Sequence, residues 1–330
     1  MNAKNHRVLV TGAAGFIGSH VCAKIADMGY EVMGCDNFND YYSPELKSLR
    51  IEHMLRHRGV ICKTLNLVDT DQVNHLFKNF RPTLVIHLAA QAGVRYSLAN
   101  PSAYIQSNIV AFENVMRECQ RNEVGHFVYA SSSSVYGASS NVPFCEDDCT
   151  SHPISLYAAT KKSNELMAYA YSHLTGLPSM GIRFFTVYGP WGRPDMAYFS
   201  FTQKILDGEP IQVFAGGKLM RDFTYIDDVV ESVVRLAFKP VGAGTGEAAH
   251  AIFNVGNHQP VRVIDFISTL EDILDKKASM KFLPMQPGDV PSTYADISKL
   301  RAWTGSGPTT SLRSGLSAFC EWYQSCYQPH

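Results

Sequence analysis

The chain has 330 residues, of which 45% are hydrophobic and 18% charged, so it can bury a large core and is neither disordered nor fibrous. Lysine and arginine total 29, against 30 aspartate and glutamate. This near-neutral balance leaves no strong positive field to attract nucleic acid or an anionic membrane, and we expect neither as a partner.

The first residues, MNAKNHRVLV, lead into a short apolar strand without the apolar stretch of a signal peptide. No later run approaches the roughly 20 apolar residues of a membrane span, so we expect a cytoplasmic protein. The eight cysteines form no CxxC pair, which favours reduced, mostly buried thiols over disulfides or a zinc site. The twelve histidines form no HxH or HExxH motif, so we expect no metal, and His87 is predicted to lie in the core.

Six short apolar or β-branched runs predict strands, with helix-length segments between them. They are RVLVTG (7–12), EVMGC (31–35), VICKTL (60–65), TLVIHLA (83–89), HFVYAS (126–131) and PSMGIRFF (178–185). Apolar strands that alternate with helices indicate a parallel sheet covered on both faces, because each parallel connection needs a crossover. The predicted fold class is therefore α/β, with a doubly wound parallel sheet of the Rossmann type.

After Gly189 the alternation loosens, which predicts a smaller α/β region that binds the substrate. Its expected elements are helices near 196–207, 226–238, 263–275 and 311–325, the short strands IQVFA and FNVGN, and a surface loop at 241–250. We expect residues 1–188 to form the domain that carries cofactor and catalysis and residues 189–330 to form the second region, with chain crossings between the two.

The glycines of TGAAGFIG, Gly12, Gly15 and Gly18, follow the first strand and open an apolar-periodic helix. Without side chains, this loop lets a pyrophosphate approach the backbone and the helix N-terminus, although a glycine triplet by itself also occurs as a flexible turn. The second strand ends at Asp36, 24 residues after Gly12, where a carboxylate can accept hydrogen bonds from ribose hydroxyls. Asn37 follows where an arginine would neutralise a 2′-phosphate, so the pattern predicts NAD rather than NADP.

Further residues at strand ends and in the first helical turn are predicted to contact this cofactor. They are Phe16, Ile17, Asn37, Asn66, Leu67, Leu88, Ala89 and Gln91. For Asn66, Leu88 and Ala89, ordinary strand-end packing is the alternative.

Tyr157 and Lys161, in YAATK, lie four residues apart and so share a face of a predicted helix. Such a pair is common by chance, but here a serine run at the end of a strand precedes it and a dinucleotide motif lies upstream. Together these three elements resemble the extended short-chain dehydrogenase/reductase family. The resemblance implies that Tyr157 is the base, and that Ser132, in SSSSVYG, bonds the substrate oxygen.

A phenol with a pKa of about 10 needs roughly 4 kcal/mol of anion stabilisation to titrate near neutrality. The resemblance assigns this stabilisation to the Lys161 ammonium and the oxidised nicotinamide. A serine run is otherwise typical of a solvated loop, but this one follows an apolar strand and is expected at the carboxyl end of the sheet, where ligands bind.

Over essentially the whole chain the sequence resembles the nucleotide-sugar branch of that family. RDFTYIDDVV is similar to a segment whose arginine, here Arg221, reaches the nucleotide, and QPGDVPSTYADISK to a motif in which Asp289 would hold the uridine ribose. Gln286 departs from the arginine of galactose-type epimerases. The strings DNFNDYYSPELK, HLAAQAGVRYS and RFFTVYGPWGRPDMA resemble those of UDP-glucuronate 4-epimerases.

The same resemblance places Thr186 with Ser133 and Ser134 in a hydroxyl cluster that faces the sugar and can bond a carboxylate. Dehydratases of the branch carry Asp-Glu at the two serine positions, so dehydration is disfavoured. Arg95 is a further candidate for the carboxylate and Arg193 for the diphosphate, with a solvated surface charge as the alternative for each.

The expected activity is NAD-dependent 4-epimerisation of a UDP-sugar, UDP-glucuronate, through a transient 4-keto sugar. The alternatives are a 4-epimerase for neutral UDP-hexoses, a UDP-glucuronate decarboxylase, and a redox-sensing regulator that binds NAD without chemistry. The resemblance also implies a homodimer in which the helix bearing Tyr157 and the one following Pro101 pair with their copies.

Overall fold

The computed structural model describes residues 6–242, 248–285 and 290–327. Its strands, in chain order, are β1 (Arg7–Thr11), β2 (Glu31–Asp36), β3 (Ile61–Thr64), β4 (Leu84–His87), β5 (His126–Ser132), β6 (Ser179–Phe184), β7 (Thr186–Tyr188), β8 (Ile211–Phe214), β9 (Met220–Tyr225), β10 (His250–Val255), β11 (Pro260–Arg262) and β12 (Met280–Leu283). Its α-helices are α1 (Phe16–Asp27), α2 (Pro44–Arg50), α3 (Thr70–Phe80), α4 (Tyr96–Ala99), α5 (Pro101–Tyr104), α6 (Ala111–Arg121), α7 (Leu156–Thr175), α8 (Ala197–Asp207), α9 (Ile226–Ala237), α10 (Val263–Leu274), α11 (Ser298–Thr304) and α12 (Leu312–Trp322).

Shorter helical turns extend or join these elements. Turns of π-helix follow α2 (Ile51–Leu55), connect α5 to α6 (Ile105–Val110) and follow α12 (Tyr323–Tyr327). Turns of 3-10 helix lie at Arg56–Arg58, Ser133–Tyr136 and Ala215–Gly217.

Within the described residues the largest sheet has seven strands in the order β10-β6-β5-β4-β1-β2-β3. Its strands run parallel, as the registers of β1 with β2 and β4, and of β5 with β4 and β6, show. Every residue of β4 and β6 is buried, as expected for strands covered on both faces. The six strands and the doubly wound α/β fold predicted from the sequence are confirmed.

The seventh strand of this sheet comes from the later part of the chain. The predicted strand FNVGN overlaps β10, at the edge of the large sheet. Ser179 N donates to Ala249 O (2.8 Å) and Phe185 N donates to Val255 O (3.1 Å), so β10 runs parallel to β6. Hydrophobic periodicity identifies a strand but does not encode its distant partner, so this pairing does not follow from the sequence.

Helices cover both faces of this sheet. On one face α3, α6 and α7 pack side by side over a buried core that includes Leu9, Val85, Phe112 and Phe127. On the other face α1 packs on β1 and β2, and an ion pair between Lys24 and Glu231 (3.3 Å) links it to α9. His87 is also buried and shares a hydrogen bond with the Thr11 hydroxyl (2.8 Å), which confirms the predicted core histidine.

The chain divides into two compact units, and each unit draws on several segments. The first consists of residues 1–137, 148–184 and 230–253, and the second of residues 138–147, 185–229 and 254–330. The division of roles between residues 1–188 and 189–330 stays a prediction.

The second unit contains two small sheets in its described part. One has the order β11-β9-β7, with β7 parallel and β11 antiparallel to β9, and the other pairs β8 with β12. Phe223 stacks on Phe266 of α10, with ring centroids 4.4 Å apart. The predicted strand IQVFA and helices near 196–207, 226–238, 263–275 and 311–325 correspond to β8, α8, α9, α10 and α12.

All eight cysteines are free, but the expectation of mostly buried thiols holds for only half of them: Cys22, Cys35, Cys119 and Cys320. Two others are half-buried and two are exposed. Among the helices of the described residues, none has the length and apolar character needed to cross a bilayer.

Candidate active site

The loop between β1 and α1 is held in a tight conformation that its glycines permit. Gly12 has a φ of +70°, and Gly12 N and Ala13 N both donate to Cys35 O at the end of β2 (2.8 and 3.1 Å). A Cβ at Gly18 would lie 2.0 Å from Gly12 O, closer than two atoms can approach. The helix therefore begins directly over the loop, and Gly15, at its N-cap, brings no side chain over the first-turn amides.

The glycine loop lies where the order of the sheet reverses. The chain moves outward from β1 to β2 and β3, and then returns to β4 on the other side of β1. A Cβ at Gly12 would lie 2.7 Å from Ala89 N, which follows β4, so the two strand ends meet there. In open parallel sheets this crevice, at the carboxyl ends of the strands, is where ligands bind.

Asp36 closes one side of the loop. Its Oδ2 accepts a hydrogen bond from Ala14 N (3.2 Å) and its Oδ1 accepts one from Phe38 N (2.9 Å). These bonds fix the half-buried carboxylate beside the glycines. Asn37 is exposed, and its Oδ1 accepts a hydrogen bond from Asn39 N (3.1 Å).

The remaining predicted cofactor residues lie at the ends of β3 and β4 and in the first turn of α1. Leu88 N and Ala89 N donate to the backbone oxygen and hydroxyl of Thr11, both at 3.2 Å. Phe16, Leu67 and Gln91 are buried, Ile17 is half-buried, and Asn66 is exposed at the end of β3, with its Oδ1 accepting from Val68 N (3.1 Å).

Two buried cations next to the glycine loop were missed by the sequence interpretation. Arg50 is fully buried and donates to Ala14 O (3.0 Å) and to the Tyr42 hydroxyl (2.7 Å). Lys47, also buried, donates to the backbone oxygen and side chain of Asn39 (2.6 and 2.7 Å). In the sequence both resemble ordinary helical surface charges, so only the preceding aromatic pair at positions 41 and 42 hinted that they are covered.

Lys161 joins α7 to the large sheet. Tyr157 lies in the first turn of α7, whose N-cap Ser155 accepts from Ala158 N (3.1 Å). One turn later Lys161, 3% exposed, donates from Nζ to Ala130 O (2.9 Å) in β5. Burial lowers the pKa of Lys161 to about 7. This hydrogen bond fixes the amine at the carboxyl end of β5, and Lys161 follows Tyr157 by one turn of α7.

Ser132 is the last residue of β5, and its hydroxyl caps the turn that follows. Its Oγ accepts a hydrogen bond from Ser134 N (3.2 Å), which starts the 3-10 turn Ser133–Tyr136. Ser133 and Ser134 are half-buried in that turn. The structure therefore brings the three predicted serines together, two residues after the carbonyl that binds Lys161.

Asn108 is a second feature that the sequence interpretation missed. It is buried in the π-helical turn Ile105–Val110, and its Nδ2 donates to Gln91 O and to the Thr160 hydroxyl, both at 3.0 Å. Its Oδ1 accepts from Gln91 N (2.8 Å). Thr160 in turn donates to Tyr157 O (2.8 Å), so this network links the loop after β4 to the helix of Tyr157. The available signal was a polar residue within the apolar stretch AYIQSNIVAF.

Arg95 precedes α4 and is exposed in the first unit. Ser133 and Ser134 belong to the same unit, whereas Thr186, Arg193 and Arg221 belong to the second unit. Thr186 begins β7 and is half-buried opposite Phe223 in β9. Arg221, in β9, donates to Met220 O (2.8 Å). Arg193 forms a bidentate pair with Asp195 (3.0 and 2.5 Å), so its charge is shared. Gln286 and Asp289 lie outside the described residues.

Asp222 is the buried carboxylate next to Arg221, and no local motif indicates its role. It accepts hydrogen bonds from Asn257 N (2.7 Å), His258 N (3.1 Å) and Ala295 N (2.9 Å). These bonds join β9 to two loops of the second unit and fix the backbone that carries Arg221.

Comparison with known proteins agrees with this arrangement. The sequence profile of the NAD dependent epimerase/dehydratase family matches residues 8–256. The chain belongs to this family. UDP-glucuronate 4-epimerase 4 of Arabidopsis thaliana is 49% identical to it over 97% of this chain and 76% of the relative, and Protein CapI of Staphylococcus aureus is 47% identical over 98% and 99%. The crystal structure of UDP-glucuronic acid 4-epimerase from Bacillus cereus in complex with UDP-glucuronic acid and NAD superposes with a TM-score of 0.88 at 34% identity, covering 97% of this chain and all of that one.

The residues at the point where the strand order reverses fit NAD, the cofactor of this family. The bare backbone at Gly12, Gly15 and Gly18 gives a pyrophosphate access to the start of α1. The Asp36 carboxylate suits ribose hydroxyls and repels a 2′-phosphate. Arg50, which donates to Ala14 O in the loop, adds positive charge there, although hydrogen bonds to protein atoms already engage it.

Proposed function

We propose that this protein catalyses the NAD-dependent 4-epimerisation of UDP-glucuronate to UDP-galacturonate. One observation carries the proposal. Tyr157 and Lys161 lie on a helix bonded to Ala130, two residues before Ser132, at the edge of the sheet where the dinucleotide loop lies. The relatives named UDP-glucuronate 4-epimerase, which match almost the whole chain, support the choice of sugar.

In the proposed reaction the Tyr157 phenolate removes the proton of the sugar's C4 hydroxyl, and Ser132 donates a hydrogen bond to the same oxygen. The buried Lys161 amine, when protonated, stabilises the phenolate at short range. NAD, which Gly12, Gly15, Gly18 and Asp36 would hold, would supply the acceptor and donor for the hydride of C4. The 4-keto sugar turns between the two transfers, so its opposite face receives the hydride, and Tyr157 returns its proton to the oxygen.

The sugar carboxylate needs its own restraint, because the 4-keto intermediate is a β-keto acid that loses CO₂ easily. We assign this restraint to Ser133 and Ser134, on the turn after Ser132, together with Thr186 and Arg95. Hydroxyl donors suit a carboxylate that must be held without being clamped, since the sugar has to turn.

Tight binding in this scheme belongs to the nucleotide, for which we propose Arg193, Arg221 and Asp289. Asp222 supports this role, since its three hydrogen bonds fix the backbone beside Arg221. The residues 189–330 would accordingly supply most of the substrate contacts, and residues 1–188 the cofactor and catalytic contacts.

We further infer a homodimer formed by α7 and the helical segment around Ile105. Apolar side chains are exposed on both: Leu166 and Tyr169 on α7 are 60% and 54% exposed, and Ile105 is 42% exposed. Such a patch on neighbouring helices is typical of an interface. The free thiols, two of them exposed, are compatible with the reducing cytoplasm, which we propose as the compartment.

The test is incubation of the purified protein with UDP-glucuronate and, separately, UDP-glucose, with NMR identification of the sugar formed. We expect UDP-galacturonate from the first and little turnover of the second. The matched variant Tyr157→Phe should lose roughly 10²–10⁴ of the rate, whereas Tyr169→Phe, an exposed tyrosine on the same helix, should not. Predominant UDP-pentose would indicate a decarboxylase, UDP-galactose a neutral-hexose epimerase, and NAD binding without turnover a regulator, and each would contradict the proposal.

A further inference from the structure

A buried ion pair lies directly beneath the proposed catalytic turn. Arg183 in β6 donates from Nε and Nη2 to the two carboxylate oxygens of Glu165 in α7 (2.8 and 2.9 Å). The two side chains are only 3% and 4% exposed. Glu165 lies one helical turn beyond Lys161, so the pair joins β6 to the helix that carries both proposed catalytic residues of α7.

The pair also holds both ends of the serine turn. Ser131, just before Ser132, donates from its hydroxyl to Glu165 (2.7 Å). At the other end Arg183 donates from Nη1 to the Tyr136 hydroxyl (2.9 Å), and its guanidinium lies over the Tyr136 ring, 4.8 Å from the centroid. The segment between these two anchors contains Ser132, Ser133 and Ser134.

Burying this ion pair costs free energy. Two charges taken out of water lose hydration, and well-packed apolar side chains at such positions are often as stable or more stable. Burial disfavours the charge of Glu165, yet hydrogen bonds from Arg183 and Ser131, with Lys162 nearby (3.2 Å), hold the pKa of its carboxyl below the usual value. What an apolar replacement cannot supply is the set of directed bonds to Ser131 and Tyr136.

We infer that Glu165 and Arg183 are positioning residues, which set the hydroxyls of Ser132–Ser134 relative to α7 and so retain the sugar carboxylate during turnover. The inference rests on the proposed function. If the turn loosens, the bond between C5 and the carboxyl carbon of the 4-keto sugar breaks more often. CO₂ leaves, the electron pair enters the enolate of the C4 ketone, and protonation at C5 gives a 4-keto pentose, which the hydride taken from C4 reduces to UDP-pentose.

The experiment compares Arg183→Lys with Glu118→Gln. Arg183→Lys keeps the positive charge but removes the guanidinium group, which donates to Glu165 and Tyr136 at the same time. Glu118 is an equally buried carboxylate, 1% exposed and bonded to Asn74 and Arg121, but it lies at the end of α6 that precedes the amino end of β5. Tyr136→Phe is the milder second variant, since it removes one hydrogen bond from Arg183 and leaves the ion pair intact.

For Arg183→Lys we expect kcat with UDP-glucuronate to fall by about 10²-fold, the effect of roughly 1 Å of misplacement, with a small change in KM. The ratio of UDP-pentose to UDP-galacturonate should rise roughly tenfold, and Tyr136→Phe should move both quantities the same way by less. Glu118→Gln should lower the unfolding temperature without changing the ratio. Unchanged kcat and product ratio in Arg183→Lys and Tyr136→Phe would overturn the inference.

Hydrogen exchange of the cofactor-free protein provides a readout that does not need the reaction. Amides of residues 131–137 should exchange faster in Arg183→Lys and Tyr136→Phe than in the wild type, and should be unchanged in Glu118→Gln. Equal exchange in all four proteins would overturn the positioning role. If the exchange differs as expected but the wild type forms no UDP-galacturonate, the proposed function fails and its consequence for the product ratio fails with it, while the role in holding the turn stands.

Discussion

The burial of Lys161 has a measurable effect on how the free energy of unfolding depends on pH. Burial lowers its pKa to about 7, whereas a lysine in the unfolded chain titrates near ~10.4. Between these values the unfolded chain binds more protons, so this residue makes the free energy of unfolding rise with pH by up to roughly 1.4 kcal/mol per unit. Below about pH 7 Lys161 is protonated in both the folded and the unfolded state, and its burial then lowers the free energy of unfolding by the full amount.

Lys161→Met removes this dependence. Relative to the wild type, the cofactor-free variant should therefore be most stable near and below about pH 7, and should lose that advantage as the pH rises towards about 10. Urea unfolding across this range measures the difference, with Lys63→Met, at an exposed position on β3, as the control that should show none. A difference between Lys161→Met and wild type that is constant with pH would refute the lowered pKa.

Thr186 offers one hydroxyl at the start of β7, and we assign that hydroxyl to the sugar carboxylate. A hydrogen bond to a charged group contributes about 1.5–3 kcal/mol, so Thr186→Ala should lower kcat/KM for UDP-glucuronate by roughly 10–100-fold and release some UDP-pentose. The hydroxyl of Thr269 donates to Asp265 O in α10 instead, and Thr269→Ala should have no such effect. Wild-type kinetics for Thr186→Ala would contradict the assignment of this hydroxyl to the sugar carboxylate.

Single residues could be proposed from the sequence where a local motif indicates the chemistry. The sequence on either side supports the chemical interpretation of three features. They are the three glycines, Asp36 and the Tyr157–Lys161 pair. Arg50, Asn108 and Asp222 were not found, because each has a hydrogen-bond partner far away in the sequence, at separations of 36, 52 and 73 residues respectively. Arg183 lies in the segment RFFTVYGPWGRPDMA, but nothing local indicates that Glu165 is its partner.

At the scale of elements, the contact between β1 and α1 depends on the absence of one atom. A Cβ at Gly18 would lie 2.0 Å from Gly12 O and 3.1 Å from the Cα of Ala13, so Gly18→Ala must push the helix away from the loop. We expect a loss of about 1–3 kcal/mol in the free energy of unfolding, and weaker NAD binding. Thermal unfolding and cofactor titration measure both effects.

Gly242→Ala is the matched control for this prediction, because a Cβ at Gly242 meets nothing within 4 Å. It should leave stability and NAD binding unchanged. Equal behaviour of the two variants would mean that the glycine loop tolerates a side chain, contrary to the steric argument.

Elements were predictable where burial on both sides makes a strand continuously apolar, as in β4 and β6. The position of β10 at the edge of the large sheet was not predictable. This strand lies more than 60 residues beyond β6, and its place in the sheet depends on pairing with β6 rather than on its own hydrophobic pattern. The π-helical turn around Asn108 was also invisible in the sequence, since hydrophobic periodicity cannot separate it from a regular helix.

At the scale of the whole molecule, the proposed dimer places Leu166 in an interface. Burying a leucine contributes roughly 1.5–3 kcal/mol, and an unpaired carboxylate there is strongly unfavourable. Leu166→Asp should therefore reduce the mass measured by light scattering from twice 36.6 kDa to the single-chain value. Phe282→Asp, at a 58% exposed phenylalanine of β12 outside the patch, should stay dimeric. A monomeric wild type, or a dimeric Leu166→Asp, would contradict the proposed interface.

The most direct test of the account follows one hydrogen through the reaction. With UDP-glucuronate that carries deuterium at C4, hydride removal and return within one site predict UDP-galacturonate that keeps its deuterium at C4, with no solvent hydrogen gained at C4 or C5. Exchange of the label with water, or solvent hydrogen appearing at C5, would contradict transient oxidation of C4 as the path to the product.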